Sequence, residues 1–326
     1  MFDHIGVSLF TGKSTPNLSY LTDTGNVWQG WEQYRLEGVC PIRVQYKAPL
    51  RELKISGSIP YLCRGHNYPA GTTDLREAMD YISQLIGLNV FAGSIDVFEF
   101  GQFVDVPLPV NVMLANHTRL PGFVAKGYLN QYSKEFESKA LRVKLYDANR
   151  NFRHKVKGDA KQALRVDFGF EPGKHCLKVE NHYKKPEIYF KQRVLVADLF
   201  NPAFVNLCKE DLLDTYRRIQ KAPAGAIPDN KKDLSASMLP LLVLKDLETV
   251  HGFNVEDLLI QKLKTIPEEV LTCEDRKARK RQIRKMLSLT ANTTTVSPFD
   301  VSTRLEEVLY RPSTIAISSS VNSYKA

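Results

Sequence analysis

Residues 141–146, Leu-Arg-Val-Lys-Leu-Tyr, alternate strictly between apolar and polar side chains. This period of two predicts a β-strand that turns its leucine and valine side chains toward a hydrophobic core. Arg142, Lys144 and Tyr146 then share the opposite face. Two cations beside a phenol would hold a phosphate in place and favour the ionised phenol. We therefore take Tyr146 as the candidate nucleophile.

The segments on either side of this strand predict a sheet with one packed helix. Alternating or β-rich runs predict further strands over 5–10, 42–46, 53–58, 90–100, 164–170 and 176–182. An amphipathic helix is predicted over 74–88, where Asp74 and Glu77 have the spacing of a capping box. The fold class expected is α+β, with a mostly antiparallel sheet.

The composition changes after residue 220. Residues 221–233 are rich in proline, glycine and polar residues, which is typical of a linker. Beyond it the apolar pattern is helical, with helices predicted over 234–251, 255–264, 273–289 and 298–309. We expect a front domain over 1–220, a small all-helical basic domain over 234–311, and a disordered serine-rich tail over 312–326.

The net charge is +9 and the isoelectric point is near 9.2, which favours an acidic partner, with nucleic acid ahead of an anionic membrane. The five cysteines have no CxxC spacing, so we expect neither a zinc ribbon nor a disulfide framework. No signal peptide is predicted, and the longest apolar stretch is too short to span a bilayer. A cytoplasmic location without a membrane partner is expected.

The densest positive charge falls in the predicted helix over 273–289. Its apolar residues, Ile283, Met286 and Leu287, cluster on one side of a helical projection. Basic residues cover about half of the helix on the other side, which predicts phosphate binding, with a merely solvated face as the alternative. These residues are Arg276, Lys277, Lys280, Arg281, Arg284 and Lys285.

Acidic and histidine residues suggest a site for Mg²⁺ or Mn²⁺. Asp96 lies inside a predicted strand, where a carboxylate needs either a metal or an arginine partner. His66 lies in a polar loop, where it would bind the metal or order the loop. Glu180 is either a further acid at the site or an ion-pair partner. Glu99 would face away from Asp96 unless a bulge near Gly101 redirects it.

A second pair of tyrosines competes with Tyr146. Tyr128 and Tyr132 are four residues apart, a spacing that places both phenols on one face of a helix. Some replication nickases use two tyrosines with this spacing. Surface packing is the alternative for both.

Five motifs in order resemble the filamentous-phage gene II-type replication initiators and related plasmid and phage proteins. The motifs are Gly65-His66-Asn67, Gly71-Thr72-Thr73-Asp74 before a helix, Ser94-Ile95-Asp96-Val97-Phe98, the strand 141–146, and Leu177-Lys178-Val179-Glu180. The resemblance covers residues 1–220. It implies rolling-circle replication: the enzyme nicks one strand of an origin, a tyrosine takes the 5′ phosphate, and the free 3′-OH primes synthesis. The enzyme later rejoins the displaced strand.

The resemblance implies that Tyr146 is the nucleophile and that Asp96 belongs to the metal site. Arg142 and Lys144 would position the DNA backbone. The family tyrosine is often followed closely by lysine, and here Arg150 would take its place. Ser94 stands where the family usually has arginine.

The expected partner is DNA, single-stranded at the nick. Since the sequence has no P-loop, a helicase and a polymerase are expected from the host. If a phage encodes the chain, the location is the host cytoplasm. Two other functions stay open, a non-catalytic origin-binding initiator and an RNA-binding structural protein.

Overall fold

A computed structural model describes residues 2–38, 41–59, 61–62, 72–115, 117–126, 132–155, 175–221, 254–291 and 301–311. The predicted strand over 164–170, the predicted helix over 234–251, the linker after residue 221 and the tail lie outside the described residues. Within them, the α+β fold class is confirmed, with a large antiparallel sheet and a helical C-terminal part.

Most of the described strands form one ten-stranded sheet. They are β1 Phe2–Phe10, β2 Thr22–Trp28, β3 Trp31–Leu36, β4 Ile42–Lys47, β5 Glu52–Ser58, β6 Ser94–Val106, β8 Val124–Lys126, β9 Ser133–Glu137, β10 Leu141–Asp147 and β11 His175–Tyr183. Their spatial order is β2-β3-β4-β5-β1-β6-β11-β10-β9-β8, and every neighbouring pair is antiparallel. Two short strands, β7 His117–Arg119 and β12 Gln220–Lys221, pair separately.

Several helices pack against one face of this sheet. The described α-helices are α1 Thr72–Ile86, α2 Val110–Ala115, α3 Ala148–Lys155, α4 Pro186–Phe190, α5 Pro202–Arg218, α6 Val255–Thr265, α7 Cys273–Ala291 and α8 Val301–Tyr310. The apolar residues of α1 and α5 join the strand residues in one hydrophobic core. Phe98 of β6 and Tyr183 of β11 stack there with ring centroids 4.5 Å apart. Alternation along each strand leaves the other face polar.

The last described helix belongs to the sheet core, which corrects the expected domain boundary. Val301, Leu305 and Leu309 of α8 are buried in the same core as the sheet, and α8 packs on β6 and α5. Because these residues recur every four positions, they form one apolar stripe that needs a partner. The pair α6 and α7 has a separate small core around Val255 and Leu287. The independent helical unit is therefore this pair, without residues 301–311.

Pro202 and Gly101 each have a clear structural role. A 3-10 helix, Val196–Phe200, is followed by α5, which begins at Pro202. Strand β6 continues through Gly101, where a side chain would bring a Cβ within 2.8 Å of the Val179 carbonyl oxygen of β11. Among the described residues, no helix is long and apolar enough to cross a membrane.

Candidate active site on the polar face of the sheet

The antiparallel register brings the polar residues of three strands together. Tyr146 of β10 lies opposite Lys178 of β11, and Lys144 lies opposite Glu180. On the other side of β11, His182 lies opposite Glu99 of β6. Paired residues project from the same face of a sheet, so the phenol, the cations and the acids meet on the face that the helices leave uncovered.

Three carboxylates form the centre of this group. Asp3 of β1, Glu99 and Glu180 are all buried, and one ligand oxygen from each lies within 4.8 Å of the others. The three strands that carry them, β1, β6 and β11, are adjacent in the middle of the sheet. We call these three residues the acidic cluster. Clustered carboxylates repel one another unless cations lie close by.

Two lysines supply this charge. The Lys178 ammonium lies 2.7 Å from Glu180 Oε2 and 3.0 Å from Asp3 Oδ2. The Lys144 ammonium lies 2.5 Å from Glu99 Oε1 and 3.2 Å from Glu180 Oε1. His182 Nδ1 lies 2.6 Å from the same Glu99 oxygen. The three carboxylates of the acidic cluster thus share two lysine ammonium groups and the His182 imidazole.

The surroundings of Asp3, Glu99, Lys144 and Lys178 favour the charged form of each group. Burial raises the pKa of Glu99, but the hydrogen bond from His182 and the charge of Lys144 outweigh it and hold this pKa well below its usual range. Burial also raises the pKa of Asp3, but the charge of Lys178 and the hydrogen bond from Ser58 lower it by more. The net result is a pKa below the usual value of an aspartate. Burial lowers the pKa of Lys178, yet the neighbouring carboxylates raise it well above 10.5.

Tyr146 is a neutral phenol in this setting, which corrects the expectation that its cations favour the ionised form. Burial and the charge of Glu180 raise its pKa well above 10, and Lys178 lowers it by less. The hydroxyl donates a hydrogen bond of 3.4 Å to Glu180 Oε2. The carboxylate beside the phenol thus has more influence than the basic neighbours that the sequence emphasised.

Tyr146 and the acidic cluster line a cleft of about 1300 Å³. The cleft wall also includes Arg142, Lys144 and Arg150. Arg142 donates to Glu137 at 3.0 Å, and Lys144 is held by the acidic cluster. The Arg150 guanidinium lies over the ring of Tyr132, 3.8 Å from its centroid. Among the described residues Arg150 has no ion pair, so its charge is available to a ligand.

The structure does not bring Asp96 to the acidic cluster. The pairing of β1 with β6 shifts between Gly6 and Val7, which leaves Asp96 as an extra residue in a bulge. Its exposed carboxylate accepts a hydrogen bond of 2.5 Å from Ser8. Because three residues separate it from Glu99, it lies roughly 10 Å away along the strand. The acid that β6 contributes to the cluster is therefore Glu99, and the expected bulge lies at Asp96 and not at Gly101.

The other predicted residues divide into three groups. Glu180 lies in the acidic cluster and makes ion pairs with Lys144 and Lys178 as well. His66 and Tyr128 lie outside the described residues. Tyr132 lines the cleft from a turn before β9, so the expected helical pairing does not hold for it.

The basic helix forms as predicted, over Cys273–Ala291. Ile283, Met286 and Leu287 face α6, and most of the basic side chains lie on the outside. Some of these cations have partners among the described residues. Arg276 donates to the Ile266 carbonyl at 2.6 Å, and Arg284 lies 2.8 Å from Glu256.

Sequence reasoning missed Asp3, Lys178 and His182. The signal for two of them was present, because Lys178, Glu180 and His182 alternate along a strand in the same way as Arg142, Lys144 and Tyr146. No local sequence pattern identifies Asp3 as a site residue, since it reaches the acidic cluster only because β1 lies beside β6 in the sheet.

No protein-family model matches the chain, and comparison with curated proteins gives no match. The geometry of the cleft is therefore the main basis for a functional assignment.

Proposed function

We propose that the chain nicks one strand of DNA at a replication origin, forms a covalent 5′-phosphotyrosine through Tyr146, and later rejoins the strand in rolling-circle replication. One observation carries this proposal: the Tyr146 hydroxyl lies 3.4 Å from Glu180 beside the acidic cluster, in a cleft of about 1300 Å³. That volume exceeds the roughly 300–1,000 Å³ of most small-molecule sites and suits a segment of a polymer. The resemblance to gene II-type initiators supports the same reaction.

The proton of Tyr146 must leave as the phenol attacks. Since the phenol is neutral, its oxygen forms a bond to phosphorus only if a base accepts the proton, and Glu180 Oε2 is the acceptor in contact with it. The bond between phosphorus and the 3′ oxygen breaks, and that oxygen takes a proton from water and leaves as the 3′-OH. In rejoining, the 3′-OH gives its proton to water as it attacks the phosphotyrosine, the bond between phosphorus and the phenol oxygen breaks, and Glu180 returns its proton to Tyr146. The phosphotyrosine conserves the phosphodiester bond, so no ATP is consumed.

Lys178 is placed to control Glu180 during this exchange. Its ammonium donates to Glu180 Oε2, the same oxygen that accepts from Tyr146. This contact fixes the orientation of Glu180 toward the phenol. Glu180 would then hold a proton only while the phosphotyrosine exists, and the ion pair would form again after rejoining.

The acidic cluster fits Mg²⁺ or Mn²⁺ in the chemistry of its donors. Asp3, Glu99 and Glu180 offer carboxylate oxygens within 4.8 Å of one another, and these ions prefer oxygen ligands. The three carboxylates outnumber the two lysines that contact them, Lys144 and Lys178, which favours a further cation there. A bound ion would withdraw charge from a non-bridging phosphate oxygen in the transition state.

Arg150 is the residue best placed to bind the DNA backbone in the cleft. Its guanidinium lies over the ring of Tyr132 and has no ion pair among the described residues. Arg142 and Lys144 are held by Glu137 and by the acidic cluster, so their main effect is on the acids. The outer face of α7 would bind duplex DNA beside the nick through phosphate contacts. Host helicase and polymerase would unwind and copy the DNA.

A non-catalytic origin-binding protein is the second candidate. The ion pairs of Lys144 and Lys178 already stabilise the acids of the cluster, and such a network would also suit a purely structural centre. This function predicts DNA binding without cleavage.

A covalent-trapping experiment decides between the two. The protein is incubated with Mn²⁺ and a labelled library of single-stranded origin sequences, and adducts that resist SDS are separated on a gel. We expect an adduct with the wild type and with Tyr132→Phe, a matched control in the same cleft, and none with Tyr146→Phe. An adduct that persists in Tyr146→Phe would contradict the assignment, and a complete lack of cleavage with intact binding would favour the non-catalytic protein.

A further inference from the structure

Aromatic side chains are exposed on the polar face of the sheet, toward the end of β1 and the hairpin of β2 and β3, away from the acidic cluster. Phe10, at the end of β1, is 71% exposed, and Trp28, at the end of β2, is 60% exposed. Trp31 begins β3 directly opposite Trp28. We call Phe10, Trp28 and Trp31 the aromatic platform. Large apolar rings grouped in water commonly mark a binding surface.

The aromatic platform lies on the same face of the sheet as the cleft. Arg35 of β3 and Arg43 of β4 are paired and line the cleft, and Trp31 precedes Arg35 by four residues on its strand. An even separation keeps both on one face. Phe10 follows His4, which also lines the cleft, by six residues, so the platform lies roughly 20 Å along the strands from the acidic cluster.

A tight turn holds Trp28 and Trp31 in place. Gln29 and Gly30 connect them with φ angles of 50° and 78°, the two positive values of a type I′ hairpin. This turn matches the twist of the strands and fixes the register of the pair. The platform therefore costs little conformational entropy when a flat ligand stacks on it.

Positive charge surrounds the rings. The ammonium groups of Lys54 and Lys47 lie 4.5 Å and 5.8 Å from the centroid of the Trp31 ring. Arg35 and Arg43, between the platform and the acidic cluster, have no ion pair among the described residues. Two acids on this part of the face, Glu52 and Asp96, offset only part of the charge. Lys54 and Glu52 are 3.7 Å apart and Asp96 is bound by Ser8.

We infer that the aromatic platform binds single-stranded DNA, with unpaired bases stacked on Phe10, Trp28 and Trp31 and phosphates bound by Arg35 and Arg43. Exposed aromatic rings flanked by cations are the elements from which single-strand-binding surfaces are built. A duplex would hide the faces of its bases from these rings. An apolar protein surface would leave Arg35 and Arg43 without an acidic partner. The inference rests on the proposed nicking function, in that the bound strand would lead into the cleft.

The sequence supplies a direct probe, because Trp28 and Trp31 are the only two tryptophans in the chain. Tryptophan emission therefore reports on the platform without any label. We would titrate Tyr146→Phe protein, to prevent cleavage, with an oligothymidine of about 12 nucleotides, a length typical of single-strand sites. A dye-labelled copy would measure binding independently by anisotropy. We expect strong quenching that saturates together with the anisotropy, and little quenching with a duplex of equal length.

Two variants locate the contact. Trp28→Ala should weaken single-strand binding by roughly fivefold to somewhat over a hundredfold, the range for loss of one stacked base, with an unchanged affinity for duplex DNA. Val27→Ala is the matched control, because Val27 is 69% exposed on the same hairpin but faces the other side of the sheet. It should bind as the wild type does. Equal binding by Trp28→Ala, or anisotropy without quenching, would overturn the inference.

The two proposals fail in different ways. Quenching without a covalent adduct on the wild type would support the platform and refute nicking. An adduct without quenching would support nicking and refute the platform.

Discussion

Replacing Lys178 with methionine tests the charge balance of the acidic cluster. The Lys178 ammonium lies 2.7 Å from Glu180 Oε2 and 3.0 Å from Asp3 Oδ2, and its side chain is only 3% exposed. Methionine keeps the unbranched apolar stem and removes the charge. Both carboxylates would then remain buried without the cation that they share.

The expected loss in the free energy of unfolding is about 3–5 kcal/mol at neutral pH, the cost of removing one partner from a buried ion pair. The loss should shrink as the pH falls. Without the ammonium, burial disfavours the ionised carboxyls and raises their pKa, so they take up protons in the folded variant before they do in the unfolded chain. Protonation removes the buried charge that destabilises the variant.

Urea unfolding followed by circular dichroism, at pH 7 and at about pH 4.5, measures both effects. The control is Lys54→Met, which breaks a half-exposed pair with Glu52 at 3.7 Å and should cost under about 1 kcal/mol. If Lys178→Met costs no more than Lys54→Met, or if its cost is the same at both pH values, the explanation of the cluster by buried charge is refuted.

The remaining predictions concern His117 and the helix α7. Burial lowers the pKa of His117 from 6.5 to about 4, although its bond to the Met113 carbonyl raises it, so the unfolded chain binds the proton more tightly. The contribution of His117 to the free energy of unfolding should be complete above pH 6.5 and should fall by about 3 kcal/mol toward pH 4. In a plot of the urea midpoint against pH, His117→Gln should flatten the part between these pH values. An unchanged plot would exclude His117 as the cause. Changing three outer cations of α7 to glutamine should reduce the salt slope of log K for duplex DNA by up to about 2.7, at roughly 0.9 per phosphate contact, without affecting cleavage of a short single strand. An unchanged slope would place the duplex elsewhere. The three residues are Lys277, Lys280 and Arg281.

The sequence predicts correctly those helices and strands that are defined by a local pattern of apolar and polar side chains. The alternation in β10, the apolar stripe of α1 and the half-basic face of α7 follow from side-chain periodicity, and the structure has all three. The break before α5 follows from Pro202, which has no backbone N–H to donate.

Features that depend on the order of the strands in the sheet could not be predicted from the sequence. Asp3 lies beside Glu99 only because β1 pairs with β6, and no local sequence pattern predicts that pairing. The choice of Asp96 over Glu99 failed because a bulge in β6 is a property of two strands together. Helix α8 was assigned to the wrong unit for a similar reason: its apolar stripe predicts burial but does not say against what.

The strands of the aromatic platform were also not predicted. Strands β2 and β3 are mostly polar and exposed, so they carry little hydrophobic alternation. Their order comes from the neighbouring strand β4 and from the tight turn at Gln29 and Gly30.

Peptide mapping of the trapped protein–DNA adduct tests the central claim most directly. The adduct formed with Mn²⁺ and the single-stranded origin library is digested with protease and nuclease, and the modified peptide is sequenced by tandem mass spectrometry. We predict a nucleotide joined through its 5′ phosphate to Tyr146. Attachment to Tyr132, Tyr128 or any other residue would contradict the account, as would a cleaved strand that carries no peptide.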